Sequence, residues 1–296
     1  MRRTLAIVIV LLSLILPARI GAWGFTAHRF IMDQAISRLP DEIRPFYERN
    51  RTFLIEYAVV PDLLRNLDVA DEPPRHFLDM DAYGEYPFAA LPRDYDEAVR
   101  TFGRKTVDEN GLLPWRAADI YGRLVTAFER AGRQEGYSLD DIKLMSAVLG
   151  HYVADAHMPF HAALNYDGQL TGQRGIHSRF ESQLFERVQG SLVLPAVTIP
   201  PVHDARAFMF DTLLKSFTYT EPLLEADRRA AAGLTEYGDE YFARWSKDAG
   251  PVLTQRVADA IAATVAVFTG AWEEAGRPAL PLEFTRRPAK IGGERR

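Results

Sequence analysis

Histidine and carboxylate side chains are concentrated in one short part of this sequence. The chain has seven histidines, and four of them lie between residues 151 and 177. His151 and Asp155 are four residues apart, so on a helix they share one face, with Cβ atoms about 5–6 Å apart. His177 and Glu181 repeat this spacing, and His161 lies at the predicted turn between the two helices. Imidazoles mixed with carboxylates, in a chain without cysteine, favour zinc first among the metals.

The other histidines carry weaker signals. A single His–Asp pair at this spacing is more often a pair of exposed helix neighbours or a buried structural pair than a ligand pair, so the metal hypothesis depends on the whole set. His157 follows His151 by six residues, about 600° around a helix, and therefore points elsewhere; a structural role is favoured for it. His203 lies in a proline-rich connector and gives no functional signal.

The first 22 residues have the pattern of a secretory signal. Arg2 and Arg3 precede an apolar run from Leu5 to Leu16, and the small residues Gly21 and Ala22 follow. The run is too short to cross a hydrocarbon core of ~30 Å. We expect cleavage after Ala22 and a secreted or periplasmic protein; the alternative is a retained N-terminal anchor.

Composition excludes several classes of protein. With 47% hydrophobic and 25% charged residues the chain is not expected to be disordered, and the absence of cysteine excludes disulfides and thiolate metal sites. The signal segment carries three arginines and no acid, so the net charge of −5 becomes −8 without it. Proteins that bind phosphate groups through their own Lys and Arg side chains normally have a net positive charge. If the substrate is anionic, bound cations must attract it.

Helical spacing of apolar residues recurs along the chain, and no alternating pattern is long enough to predict a sheet. Ser138, followed by Asp141, resembles a capping box at the start of a helix that Pro159 should end. The remaining predicted helices are a first one with an apolar face at Phe25, His28, Met32, Ala35, Ile36 and Leu39, and others over Pro114–Ala131, Ile176–Val188, Ala205–Phe217 and Tyr237–Trp272. We therefore expect a single all-α domain over residues 23–285, with the connector Leu192–Val202 inside it and a basic, solvated tail over 286–296.

Cleavage after Ala22 would leave Trp23 as the first residue. A free α-amino group and the first carbonyl oxygen can chelate a metal ion as a five-membered ring if an imidazole completes the site, and His28 is a candidate for that imidazole. Together with the histidine-rich region, this arrangement resembles the superfamily that joins the bacterial zinc-dependent phospholipases C to the single-strand-specific zinc nucleases. The residues that carry the resemblance are Trp23, His28, Asp62, Arg65, His76, Phe77, Asp79, His151, Asp155, His161, His177 and Glu181.

The resemblance implies a helical domain with a trinuclear zinc site between its helices. Two neighbouring zinc ions would acidify a shared water, whose hydroxide attacks phosphorus in line. Asp62 would orient or deprotonate the nucleophile, and Arg65 would contact the phosphate; the non-metal alternative for Asp62 is a helix N-cap. The implied ligand sets are Asp62, His76, His151 and Asp155 for one ion, His161, His177 and Glu181 for a second, and Trp23, His28 and Asp155 for a third.

The two branches of the superfamily are hard to separate. Glu181, rather than Asp, and the residues around His161 and His177 are closer to the phospholipases. The five-residue step from Trp23 to His28 is closer to the nucleases, as is the Asp-x2-Arg pattern at residues 62–65. The absence of disulfides favours a bacterial branch.

The nuclease resemblance also implies substrate contacts. Phe77 and Asp79 would stack on and hydrogen-bond a nucleobase in a nuclease. The His-Phe-x-Asp pattern also occurs in phospholipases, so it does not separate the branches, and core packing is an equal alternative for Phe77.

These observations favour a secreted zinc phosphodiesterase of phospholipase C type that cuts the glycerol–phosphate bond of phospholipids. Its partner would be a phospholipid head group, with transient contact to the membrane surface, and no obligate protein partner is inferred. The alternative with the same metals is a nuclease or nucleotidase acting on single-stranded nucleic acid. A third, of another class, is a non-catalytic zinc-binding protein of the cell envelope.

Overall fold

The computed structural model describes residues 24–67, 69 and 71–282. The predicted signal peptide, Trp23 and the basic tail lie outside the described residues. Within the described ranges the chain forms α-helices and short 3₁₀ and π-helical segments, and no strand. The helices are α1 (Phe25–Ile36), α2 (Arg44–Arg49), α3 (Arg51–Tyr57), α4 (Val60–Asn66), α5 (Tyr95–Phe102), α6 (Arg104–Glu109), α7 (Leu113–Gly132), α8 (Ser138–Ala156), α9 (Ile176–Ser178), α10 (Phe185–Val188), α11 (Ala205–Phe217), α12 (Thr220–Ala231) and α13 (Asp239–Glu274). The all-α class predicted from the sequence is confirmed.

Helix α13 is the central element of the core. It is 36 residues long and apolar enough to pass a length-and-composition test for a membrane span, yet 78% of its most apolar window is buried inside the protein. It packs against α1, α7, α8 and α12, which is the environment of a core helix. The connector 192–202 crosses this helix closely: the amide of Val202 donates to the carbonyl of Ala266. A Cβ atom at Gly270 would lie 1.9 Å from the carbonyl oxygen of Val202, so only glycine fits there.

Helix α8 lies in the middle of the fold and positions the chemistry of the chain. It packs against α7, α3, α13 and α1, and every residue from Leu149 to Ala156 is buried. Because it is covered on all sides, its polar residues in this stretch, His151 and Asp155, point into the protein rather than into solvent. Buried polar groups of this kind need partners.

The predicted helices are observed with closely matching ends, but one predicted cap is wrong. Helix α8 begins at Ser138, as expected, without any side-chain cap. The Ser138 hydroxyl instead donates to the carbonyl oxygen of Glu135, and Asp141 accepts from Arg130. The sequence has the spacing of a capping box. In the structure Tyr137 has a left-handed backbone, and the Ser138 side chain contacts the preceding turn instead of capping the helix.

Candidate metal centre

Seven elements of secondary structure bring the predicted ligands together, and all eight ligands within the described residues are buried. The central helix α8 supplies His151 and Asp155. The other residues come from α1, α4, the 3₁₀ turn Pro73–His76, the 3₁₀ turn Pro159–Ala162, α9 and the π-helical segment Arg179–Leu184, which supply His28, Asp62, His76, His161, His177 and Glu181 respectively. Trp23, the remaining predicted ligand, lies outside the described residues.

The carboxylate of Asp155 lies at the centre of four imidazoles. Its Oδ2 atom is 3.0 Å from Nδ1 of His76 and 3.2 Å from Nε2 of His151. Its Oδ1 atom is 3.4 Å from Nε2 of His28 and 3.6 Å from Nδ1 of His161. One oxygen therefore faces one pair of histidines and the other oxygen faces a second pair, which is the arrangement of a bridging ligand.

Asp62 joins the same cluster from α4. Its Oδ2 atom is 3.9 Å from Nε2 of His28, and its Oδ1 atom is 3.8 Å from Nδ1 of His76. Asp62 is not an N-cap, since α4 has Val59 at that position and no side-chain cap. Its Oδ1 atom instead lies 3.1 Å from a guanidinium nitrogen of Arg65.

His161, His177 and Glu181 form a separate group beside this cluster. The Nε2 atoms of the two histidines are 3.2 Å apart, and Nε2 of His177 is 3.1 Å from a carboxylate oxygen of Glu181. Glu181 lies in the π-helical segment, an irregular turn that often occurs at functional sites. The ligand atoms of this group all lie within 4.8 Å of one another, as do those of two further groups, His28–Asp62–His151 and His76–His151–Asp155.

Many polar atoms of these residues are buried without a hydrogen-bond partner. They include both ring nitrogens of His28, Oδ2 of Asp62, Oε1 of Glu181 and Oδ1 of Asp155. An unpartnered buried polar group costs about 1–3 kcal/mol, and more if it is charged. So many at one place are hard to reconcile with a purely structural cluster, whereas divalent cations would use the same atoms as ligands. The groups could therefore hold metal ions.

Several of the histidines are held by a second acceptor on the side away from the cluster. Nδ1 of His151 lies 2.8 Å from the carbonyl oxygen of Ala58, and Nδ1 of His177 lies 3.1 Å from that of Tyr166. Such outer partners fix the tautomer and the orientation of a ligating imidazole.

For His76 the outer group is the carboxylate of Glu72. Its Oε1 atom lies 3.6 Å from Nε2 of His76 and accepts a hydrogen bond of 2.6 Å from the Tyr152 hydroxyl. The other carboxylate oxygen accepts from Arg75 at 2.8 Å. Glu72 is 2% exposed, so a fully buried carboxylate with two donors of its own faces this imidazole from behind.

Burial and neighbouring charges shift the pKa values of the cluster in opposite directions. Burial, reinforced by the positive charge of His151, lowers the pKa of His28. Burial would also lower the pKa of His76, but the carboxylates of Asp155 and Glu72 outweigh it and raise this pKa to about 9. Burial raises the pKa of Glu181 to about 7 despite His177. Without cations, the cluster therefore keeps protons that metal ions would have to displace.

A cleft of about 590 Å³ opens onto this cluster. Three of the histidines and Arg65 reach it, so the cluster is accessible from outside. It is lined by Arg65, Asn66, Pro73, His76, Phe77, Asp79, Glu109, Phe160, His161, Tyr166 and His177.

The two predicted substrate contacts lie in this cleft. Phe77 is partly exposed and lines it, so its ring is not simply part of the core. Gly111 has a positive φ and packs against the Phe77 backbone, where a Cβ atom would lie 2.1 Å from the carbonyl oxygen. Asp79 is buried, and burial, with Asp81 nearby, raises its pKa to about 7. Its side chain can thus donate or accept a hydrogen bond near neutral pH.

Two histidines lie away from the cluster, as expected. His157 is buried with Nδ1 2.7 Å from the carbonyl oxygen of Val153, and His203 is exposed near Glu273. Nothing in the sequence indicates that Glu72 or Tyr152 lies behind His76. Glu72 precedes His76 by four residues, but the intervening segment has two prolines and no helical periodicity that would signal a shared face.

Comparison with known proteins gives a likeness in fold. No protein-family model and no curated protein sequence matches this chain. The crystal structure of the alpha-toxin of Clostridium perfringens, from the avian strain SWCP, matches with a TM-score of 0.51 and 14% sequence identity. The two chains share a fold. The match covers 86% of this chain and 66% of the toxin chain, so this chain corresponds to about two thirds of the alpha-toxin, and the helical class implied by the motifs is confirmed.

Proposed function

We propose that this chain is an exported, zinc-dependent hydrolase of phosphodiester bonds. The observation that carries the proposal is the buried set of imidazoles and carboxylates around Asp155, whose unpartnered atoms face one another at the end of an open cleft. A cluster that only stabilised the fold would not need an opening to solvent. The N-terminal signal pattern supports export, because a cleaved signal peptide directs a protein out of the cytoplasm.

The ligand sets of the proposal are those implied by the sequence. Donor atoms of His76, His151 and Asp155 from the first set lie within 4.8 Å of one another, as do those of the second set. Asp62, the fourth member of the first set, approaches it with Oδ1 3.8 Å from Nδ1 of His76. In the third set, His28 and Asp155 approach within 3.4 Å, and Trp23 would complete it. The sets are Asp62, His76, His151 and Asp155; His161, His177 and Glu181; and Trp23, His28 and Asp155.

The chain's own residues have distinct parts in the proposed reaction. Zinc, when bound, supplies positive charge for the phosphoryl oxygens and lowers the pKa of water towards neutrality. Asp62 faces the cluster from α4 and would orient the attacking water and accept its proton. Arg65 lines the cleft next to Asp62 and would donate hydrogen bonds to the phosphate, as guanidinium groups do well. Because the protein is acidic overall, this site would be its main point of attraction for an anionic substrate.

We further propose the phospholipase C type of activity. It is supported by Glu181 and the sequence around His161, which resemble those of the bacterial zinc-dependent phospholipases C. The fold shared with the alpha-toxin agrees with the helical domain that this resemblance implies. The second candidate is a nuclease or nucleotidase for single-stranded nucleic acid. Phe77 favours it, because a partly exposed aromatic ring beside Asp79 in the cleft could stack on a base.

The decisive experiment compares two substrates on the same zinc-loaded, correctly cleaved protein. Hydrolysis of phosphatidylcholine vesicles without hydrolysis of single-stranded DNA is the expected result, and activity on DNA alone would contradict the phospholipase proposal. Asp62→Asn should abolish most turnover. The matched control is Asp259→Asn, since Asp259 is a buried carboxylate that pairs with Arg256 and does not line the cleft, and this variant should retain turnover. Zinc binding by wild type without turnover on either substrate would favour the non-catalytic alternative.

A further inference from the structure

Large apolar side chains are exposed on two segments of this protein that border the same cleft. The first segment contains Leu63 in α4, Leu67 at the C-terminal cap of this helix, and Val69 two residues further on. The second contains Leu164, Tyr166 and Leu170, in the loop that precedes α9. Leu67 and Leu170 are 74% and 70% exposed, and the other four are between 36% and 43% exposed. We call these six residues the apolar rim.

The position of the apolar rim follows from its neighbours. Arg65 and Asn66 line the cleft from the first segment, and Tyr166 lines it from the second. The Tyr166 carbonyl also accepts the hydrogen bond from His177, which ties the second segment to the metal centre. The two segments therefore stand at the mouth of the cleft.

The exposed leucines of the second segment lie on an ordered backbone. The amide of Leu170 donates to the Asn165 side chain at 2.9 Å, and the side chain of Gln169 donates to the Leu164 carbonyl. The amide of Gly175 donates to Asp167 at 3.0 Å. These hydrogen bonds hold the loop backbone in place while Leu164 and Leu170 remain exposed. Folding alone does not require exposed leucines on an ordered loop.

The chemistry of the apolar rim distinguishes between occupants. Five of its six residues are aliphatic, whereas surfaces for single-stranded nucleic acid combine aromatic platforms with basic grooves. Arg65 is the only basic residue between positions 63 and 71, and Arg174 is the only one between 164 and 174. Anionic membranes attract clusters of several basic residues, whereas each of these segments has a single arginine and no such cluster. Aliphatic side chains with little positive charge fit a neutral, zwitterionic lipid surface.

We propose that the apolar rim inserts into the surface of a zwitterionic phospholipid bilayer and so places the mouth of the cleft against the lipid head groups. This inference rests on the proposed phosphodiesterase function and gives it a membrane partner. Leucine side chains that enter the boundary between head groups and acyl chains supply binding through burial of apolar area.

The test is flotation of the zinc-loaded protein with phosphatidylcholine vesicles. The double variant Leu67→Asp with Leu170→Asp should bind at least about tenfold more weakly than wild type, since two inserted leucines are lost and two charges are added. Val193→Asp with Leu282→Asp is the matched control, because both residues are exposed, at 86% and 50%, and neither lies in a segment that lines the cleft. Its binding should equal that of wild type.

Each other outcome overturns the inference. Equal flotation of the rim variant and wild type would do so, as would binding that requires phosphatidylserine and is lost in high salt. A rim variant that loses affinity for single-stranded DNA but not for vesicles would identify a nucleic-acid surface. A concentration-dependent dimer that the rim variant abolishes would identify a second copy of the chain as the occupant.

A second measurement separates this inference from the proposed function. Turnover of vesicles, divided by turnover of the soluble diester bis(p-nitrophenyl) phosphate, should fall about tenfold in the rim variant. If wild type floats with vesicles but hydrolyses neither substrate, the proposed function fails and the lipid surface stands. If it hydrolyses the soluble diester and does not float, the function stands and the lipid surface fails.

Discussion

Replacement of Glu72 by glutamine tests whether the metal centre depends on groups behind its ligands. Glu72 does not reach the ligand atoms, but its carboxylate lies 3.6 Å from the outer nitrogen of His76. Glutamine has nearly the same shape and can still accept from the Tyr152 hydroxyl. The substitution therefore removes one negative charge behind one imidazole and leaves the packing in place.

The expected size of the effect follows from this geometry. Loss of an outer-shell partner of a ligating histidine typically weakens metal affinity by about 10–100-fold, which corresponds to about 1.4–2.7 kcal/mol. The buried position of Glu72 favours the upper part of this range, because charges interact more strongly away from water. Tyr152→Phe removes only the 2.6 Å hydrogen bond to the carboxylate and should weaken affinity by less than Glu72→Gln.

The assay is zinc competition against a chromogenic chelator, together with a metal count. Glu72→Gln should show one weakened ion with the remaining ions bound as in wild type. Asp259→Asn is the control: it breaks a buried ion pair with Arg256 and should lower thermal stability without a change in zinc affinity. Equal zinc affinity in wild type and Glu72→Gln would refute the reasoning.

Three further predictions concern metal, pH and the N-terminus. Removal of metal with EDTA should lower the melting temperature substantially, since ions bound only to the folded state at a thousandfold excess over their Kd add about 4 kcal/mol each; an unchanged melting temperature in calorimetry would contradict this. Asp79 has a pKa of about 7 in the folded protein, well above its value in the unfolded chain. The free energy of unfolding should therefore fall as pH rises from about 4 to 7 and should stay at the lower value above pH 7. Asp79→Asn should remove that loss and be more stable than wild type at pH 8 by about 2–4 kcal/mol in urea unfolding; equal pH profiles would argue against it. A tag fused before Trp23 should cost one zinc and most activity, and a tagged protein with three zincs and full turnover would show that the free amine is not needed.

The long helices were predictable from sequence because they repeat their apolar positions over many turns. Helix α11 is observed over the predicted residues, and α7, α8 and α13 differ only at their ends. Helices α2 to α6 are six to eight residues long, which is too short for a 3.6-residue period to stand out. Helix α12 was not predictable either: eight of its twelve residues are charged or alanine, and its packing against α13 appears only in the structure.

The candidate site was predictable where it depends on local spacing. His151 with Asp155, and His177 with Glu181, show their shared faces in the sequence itself. The position of Asp62 beside these pairs depends on how α4 packs against α8. Only the family resemblance indicated it from the sequence.

Features created by tertiary packing were not predictable from sequence. Glu72 faces His76 through a proline-containing turn. The apolar rim is defined by exposure, which a sequence does not display: Leu67 and Leu54 are both leucines of the same region, yet the first is 74% exposed and the second is fully buried.

The most direct test of the account is a crystal structure of the correctly cleaved protein with anomalous data collected on both sides of the zinc absorption edge. We predict three zinc peaks within a few ångströms of one another, with imidazole nitrogens at about 2.0–2.1 Å from them. The two carboxylate oxygens of Asp155 should each lie next to a different peak, and the Trp23 nitrogen should lie next to the peak that is also bound by His28. Density for the side chains of Asp155, His161 and Glu181 without any zinc peak, in protein purified with zinc present, would contradict the account.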